Sequence, residues 1–426
     1  MKDLFLKSDE MTRRHMVKGL AAGLLGLNFV PEIAAKSTTA LKGGGKAKSV
    51  IFINVAGGLS QVDSFDIKEH NKDANKASEP MKSNADGIQV GKYFKGMAKH
   101  MEKFAAINSM CHTQGTHHHA TYLTLTSYES RGTVAHPELG AWASKLGGKG
   151  AEAIPPFIKI GNSGDAGRGF FSSQYSALPV KDPTKGIQFV KTPKDLSEGE
   201  FKKRISYMNM LNKEYEAKMK NNITNDYSNI YDQALKMMTS KDLAAFDLNQ
   251  EKDLTRERYG KNEFGNSCLL ARRLVQKGVR FMSMNHGGWD DHYGIYNEMA
   301  DRAVSLDQGV AALMSDLRSL GLLDSTLVVF TSEFGRGAEL NRQVGRGHNP
   351  SGYTSLIAGA GVKGGQKYGK TDKMGGVAVE KKVHPADLNA TIAYAMGLPI
   401  DHIEYNETGR PFQVGNKTGK PLTELF

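Results

Sequence analysis

The sequence predicts an α/β protein with a mostly parallel central sheet covered by helices on both faces. Apolar runs of strand length recur at 50–55, at the start of GVRFMSMNHGGWDDH (278–292), at Thr326–Thr331 and at Thr354–Ala358, with amphipathic helical stretches between them. The strand-like runs also end in glycine together with acids, imidazoles or a guanidinium. Strands separated by helices favour parallel crossovers, and in such sheets polar side chains converge outside the carboxyl ends of the strands.

The first run, VIFINV, follows a Gly/Lys linker and leads into AGGLSQVDSFD, where Gly57 and Gly58 allow a tight turn and Ser60, Asp63 and Asp66 can reach beyond the sheet. Asp66 could equally cap a turn. Next comes Cys111-His112-Thr113-Gln114-Gly115-Thr116-His117-His118-His119, running into ATYLTLTSYES, which suits a packed helix. A hydroxyl beside imidazoles at a helix start is a candidate nucleophile, since the helix N-terminus stabilises anions and His binds metal or moves protons. The alternative is a loose surface loop.

From 181 to about 260 the chain is polar and Lys-rich, with an amphipathic stretch near 201–219 that reads as a helical insertion. EFGNSCLLARRLV (263–275) has helical spacing with Gly278 just beyond it, a helix feeding the strand of the GGWDDH motif. That motif delivers Asp290 and His292 two residues apart on a loop, where a carboxylate oxygen and an imidazole nitrogen can close on one divalent cation. Read blandly, it is a surface turn with a half-buried Trp289.

Met299, Ala303, Leu306, Val310, Leu313, Leu317 and Leu320 then mark a long amphipathic helix ended by Gly321. TLVVFT follows as a strand, ending in Ser332-Glu333-Phe334-Gly335-Arg336. Arg336 could clamp a tetrahedral oxyanion in two-point fashion or pair with Glu333. GRGHNP sets His348 in a glycine loop before the last strand, and 387–397 reads as a closing helix.

With 426 residues and 39% hydrophobic composition, the chain can bury a substantial core. Its formal charge is +11, of which Met1–Lys36 carry only +2, so the remainder favours acidic partners such as phosphate or sulfate. No interleaving of aromatic and basic residues marks a nucleic-acid surface. Two cysteines exclude a disulfide framework. Thr12-Arg13-Arg14-His15-Met16-Val17-Lys18, an apolar segment at 19–30 and Ala34-Ala35 look like a twin-arginine signal, which predicts export by that machinery. No other stretch approaches the ~20 apolar residues of a membrane span. The expected organisation is a signal at 1–36, a linker at 37–48, and one α/β domain from 49 to 426.

Taken together, AGGLSQVDSFD, RYGKNEFGNSCLLARRLVQKGVRF, GGWDDH, SEFGR, GRGHNPSG and DLNATIAYAMGL resemble the exported family catalogued as domain of unknown function 1501, a branch of the alkaline phosphatase/sulfatase superfamily, over nearly the whole mature chain. The resemblance implies an alkaline-phosphatase-like three-layer sandwich that binds one or two divalent metals and hydrolyses phosphate or sulfate esters. It implies Asp290, His292 and His348 as a metal set, with Glu333 as a further strand-end acid on the metal, Asp63 as a displaced metal-binding substitute for the acid missing at Ser60, and Thr116 near the nucleophile position. His117 would be acid/base or ligand, and Arg336 the oxyanion clamp. The donor mixture suits zinc or manganese. THHH in place of Cys-x-Pro-Ser-Arg argues against a formylglycine sulfatase. The alternative reading is a secreted binding or assembly protein on the same fold without turnover.

Overall fold

A computed structural model describes residues 44–148, 150–161, 166–187, 197–219 and 233–426. The twin-arginine segment and most of the linker lie outside the described residues. Eight strands form the central sheet: β1 (Ser49–Asn54), β2 (Phe104–Met110), β3 (Phe157–Ile160), β4 (Leu178–Val180), β5 (Phe281–Asn285), β6 (Thr326–Thr331), β7 (Tyr353–Ala358) and β8 (Gln366–Tyr368). Their order across the sheet is β8-β2-β7-β6-β1-β5-β3-β4. Every pairing is parallel except those of β7, which runs antiparallel to both β2 and β6.

β1 is buried along its whole length, and its alternate residues feed two separate cores. Ile51 and Ile53 pack with Met282, Met284, Val328 and Phe330 beneath the helices α3 (Glu263–Gln276) and α4 (Ile295–Ser319). Val50 and Phe52 pack on the other face with Phe281, Leu327 and Val329 against α1 (His117–Thr126), α2 (Leu139–Leu146) and α5 (Pro385–Met396). This period-two division is what a sheet covered on both faces requires, and the predicted three-layer α/β architecture is the one observed. The long helix predicted around Met299–Leu320 is α4, and Leu306, Val310, Leu313 and Leu317 are its buried stripe.

The predicted insertion region holds the helix Glu198–Met219, two short 3₁₀ turns and the helix Asp253–Tyr259. None of the described helices is long and apolar enough to cross a membrane. The helix after the histidine run differs from expectation in its start, which takes in the histidines expected to precede it. It starts at His117, so His117 to His119 form its first turn, and it stops at Thr126 because Ser127 takes a left-handed conformation (φ 70°).

Candidate metal centre

The parallel strands β1, β5 and β6 deliver their carboxyl ends to one edge of the sheet, and β7, running the other way, begins at that edge. After β5 the chain is anchored by Trp289, whose indole N–H donates to His286 Nδ1 (2.9 Å) and whose amide donates to the Ala56 carbonyl (3.2 Å). The loop after β1 passes so close that a Cβ on Gly57 (φ 112°) would lie 2.6 Å from the Trp289 nitrogen, so only glycine lets the two loops meet.

Asp290 stands at that crossing and is held by Arg336. The Arg336 side chain is fully buried, and its guanidinium donates to the carbonyls of Gly57, Gly58, Trp289 and Arg346 and to Asp290 Oδ1. Burial pushes the Asp290 carboxyl up, but the hydrogen bond and positive charge of Arg336 outweigh it and hold the group well below the usual carboxylate range.

Three imidazoles surround the same oxygen. Asp290 Oδ1 lies 3.2 Å from His117 Nε2, 3.0 Å from His292 Nε2 and 3.0 Å from His348 Nε2, and the last two nitrogens are 3.0 Å apart. His117 opens α1, His292 follows Asp290 on the β5 exit loop, and His348 sits on a two-residue ribbon paired with Gly335–Arg336 that leads into β7. The candidate ligand atoms of His117, Asp290 and His348 all fall within 4.8 Å of one another, the one group of at least three His, Cys, Asp or Glu so clustered among the described residues.

Two of the imidazoles have fixed tautomers. His117 Nδ1 lies 2.8 Å from Glu333 Oε1, and His348 Nδ1 lies 2.8 Å from the Gly115 carbonyl; both partners only accept, so each Nδ1 carries the hydrogen. The Nε2 atoms of the neutral rings therefore present lone pairs toward Asp290 Oδ1, itself an acceptor. Acceptors at 3.0–3.2 Å repel unless a proton or a metal cation sits among them. His117 Nε2 is accordingly buried without any hydrogen-bond partner. Bonds of ~2.05 Å at a tetrahedral angle would separate ligand atoms by about 3.3 Å, and the N₂O set of His117, Asp290 and His348 fits a zinc-like divalent ion, with His292 beside Asp290 and His348 as a further imidazole.

Glu333 stands behind this set, not in it. Its side chain is buried; Oε1 accepts from the Gly57 amide (2.7 Å) and from His117, while Oε2 accepts from Ser332 Oγ (3.2 Å). That bond to Glu333, more than any other contact, raises the His117 pKa above its ordinary value. Thr116 lies beside the cluster with its flanking residues tied to it, since Gly115 holds His348 and His117 belongs to the set. Its exposed Oγ1 is 3.0 Å from His119 Nδ1. The first amide of α1 to bond within the helix is Ala120's, to the Thr116 carbonyl.

Three expectations are corrected, the first being Glu333 as a ligand, since its oxygens are engaged by Gly57, His117 and Ser332. Asp63 is not a ligand: it is fully buried in a two-point ion pair with the buried Arg346 (2.8 and 3.2 Å) and accepts from Ser60 Oγ (2.5 Å). A guanidinium removed from water demands a carboxylate, and Asp63 supplies it. Arg336 is not an oxyanion clamp, because its donors are taken by backbone carbonyls and Asp290 with no face left toward solvent. Sequence reasoning missed Arg346, the Gly115 carbonyl and His119. Only His119 left a signal, its three-residue spacing from Thr116 at a helix start.

A family model described as "Protein of unknown function (DUF1501)" matches residues 47–426. No curated protein matches the chain. Among solved structures it is similar to a sulfatase from Pseudoalteromonas sp. (14% identity, 82% of this chain and 68% of that one, TM-score 0.40). It is also similar to a lipoteichoic acid synthase from Listeria monocytogenes (8% identity, 83% and 73%, TM-score 0.38). A third likeness is to a variant alkaline phosphatase from the Antarctic bacterium TAB5 solved with Mg bound (12% identity, 73% and 90%, TM-score 0.33).

Proposed function

Because the chain belongs to the DUF1501 family, whose description assigns no reaction, its chemistry has to be read from the site, and we propose an exported, metal-dependent hydrolase of phosphate or sulfate esters. The observation that carries this is the convergence of His117, Asp290, His292 and His348 with two tautomers fixed so that lone pairs face one another. A bound divalent cation, zinc or manganese by its donor set, would polarise an ester oxygen and neutralise its charge.

The chain's own residues divide the remaining work. His117, Asp290, His292 and His348 hold the ion; Glu333 and the Gly115 carbonyl orient the imidazoles; Arg336 positions Asp290. The open amides of the first turn of α1 receive the anionic oxygens of the ester. Thr116 Oγ attacks the phosphorus or sulfur in line and passes its proton to His119, which gives it to the ester oxygen as that leaves with the bonding electrons. Water, deprotonated by His119, then attacks the Thr116 ester, and the Thr116 oxygen leaves with the bonding electrons and takes the proton back. Export rests on Arg13 and Arg14; replacing both by Lys leaves precursor in the cytoplasm, and normal export of that variant would refute the route.

The test is metal content by elemental analysis together with hydrolysis of aryl phosphate, phosphodiester and sulfate esters. Bound metal with turnover, both lost in Asp290→Ala, supports the enzyme. The second reading is a secreted binding or assembly protein without turnover, favoured by the β1 exit, where Ser60 and Asp63 are buried and paired elsewhere so that one cation position is furnished among the described residues. Metal-free wild-type protein with no hydrolysis selects it.

A further inference from the structure

Beyond the C-terminal end of α1 lies a cavity of about 620 Å³ that the metal centre does not use. One wall is aromatic and rigid. Tyr128 stacks on His136 (centroids 4.5 Å apart, 1° between planes), and Phe412 meets both edge-on at 5.5 and 5.2 Å. The Tyr128 hydroxyl donates to the Gln413 carbonyl and accepts from its amide, both at 2.9 Å, which fixes the ring.

The rest of the lining is cationic. Arg131, Arg410 and Lys417 all border this cavity, and none of their side chains has a hydrogen-bond or ion-pair partner among the described residues. Exposed cations elsewhere are paired in places, as in Lys92–Glu79 and Lys370–Glu380, and unpaired among the described residues in others, as at Lys82 and Lys95; what sets these three apart is that they border one concavity. Three unpaired like charges in one concavity repel one another and focus a positive potential that only a ligand relieves. Two are guanidiniums, whose planar fork matches phosphate and sulfate oxygens. The one carboxylate in the lining, Glu129, accepts from Gln114 Nε2 at 3.2 Å and is not ion-paired with any of the three cations.

We infer that Arg131, Arg410 and Lys417 form a second anion subsite, which binds a phosphate or sulfate group of the substrate remote from the ester being cleaved. Gln114 links the two places, since its side chain meets Glu129 and the next residue's carbonyl holds His348. α1 has ten residues and is therefore roughly 15 Å long, which sets the order of the separation between the two anionic groups. That span suits an oligomer carrying several phosphate or sulfate groups, such as a multiply esterified oligosaccharide, with its apolar ring faces on the Tyr128–Phe412 wall. The word substrate rests on the hydrolase reading; the binding does not.

The test uses the full chain with Asp290→Ala, which removes the metal centre from the measurement, and titrates sucrose octasulfate and inositol hexakisphosphate by calorimetry. Combining Arg131→Ala, Arg410→Ala and Lys417→Ala should weaken binding of at least one probe by about tenfold to a hundredfold, and the probe affected names the anion. A charge-matched control, Lys82→Ala with Lys95→Ala and Lys99→Ala, should weaken it by about twofold or less. Equal weakening by both sets, or no binding to the parent, overturns the subsite. In chains retaining Asp290, the groove variant should hydrolyse a simple aryl ester at the wild-type rate. Loss of that rate would overturn the separation of groove from centre, whereas absence of turnover in the wild type removes the hydrolase reading and leaves the binding result standing.

Discussion

Glu333→Gln isolates the carboxylate behind His117. The substitution keeps the side chain's shape and an oxygen able to accept from Gly57 N–H and His117 Nδ1–H, now 2.7 and 2.8 Å away, but removes the charge. Folding should therefore change by no more than about 1.5 kcal/mol, the size of one weakened buried hydrogen bond. Metal affinity should fall much further, because an imidazole backed by a carboxylate is a more basic ligand of fixed orientation; such partners are worth about 10–100-fold, or roughly 1.4–2.7 kcal/mol. The pH dependence carries the opposite sign. Glu333 raises the His117 pKa, so in the native chain protons displace metal as pH falls through that raised value, and without the charge this limb moves to lower pH. Competition against a chromophoric chelator from pH 5 to 8 measures both effects. A folded Glu333→Gln protein with native metal affinity and an unmoved acid limb would refute the shell assignment.

Asp63→Asn leaves Arg346 buried without its counter-charge and should cost about 3–5 kcal/mol in urea unfolding while bound metal per folded molecule stays constant; a loss of metal without loss of stability would return Asp63 to the site. His348→Ala and His292→Ala should each fold yet lose metal, and the double variant should be little worse than either, since the two rings serve one ion; full occupancy in either single variant removes that residue. His136 and His286 are pushed down to about 4 by burial, so below the ordinary value near 6.5 the unfolded chain takes up protons that the fold refuses. Each group's contribution is intact above pH 6.5 and falls through the acid range, about 2 kcal/mol lost per group at pH 5, which urea titrations at pH 7 and 5 would detect; equal stability at both pH values contradicts it.

Much of the sheet was legible because β1, β5, β6 and β7 are continuous apolar runs with glycine at or near one end. β2 escaped notice although all seven of its residues are buried, because FAAINSM mixes alanines with Asn108 and Ser109 and has neither a strong apolar run nor strict alternation. Asp290, His292 and His348 could be named since loops with glycine and a metal-binding residue are rare enough to notice. Which shell an acid occupies could not be read: Glu333 and Asp63 follow strands in the same manner, and only the partner across space distinguishes them. That partner is His117 for one and Arg346 for the other, 216 and 283 residues away in sequence.

The single reversed strand has a consequence for how the molecule is made. β7 lies between β6 and β2, so until it is synthesised and inserted, β2 and β8 have no lateral bond to the rest of the sheet. A ribosome that has completed β6 has produced Asp290 and His292, but His348, which leads into β7, has still to appear. Vectorial synthesis thus withholds the last of these imidazoles until β7 is about to join the sheet, so Asp290 and His292 emerge into a half-built edge and meet His348 only when that edge is closed.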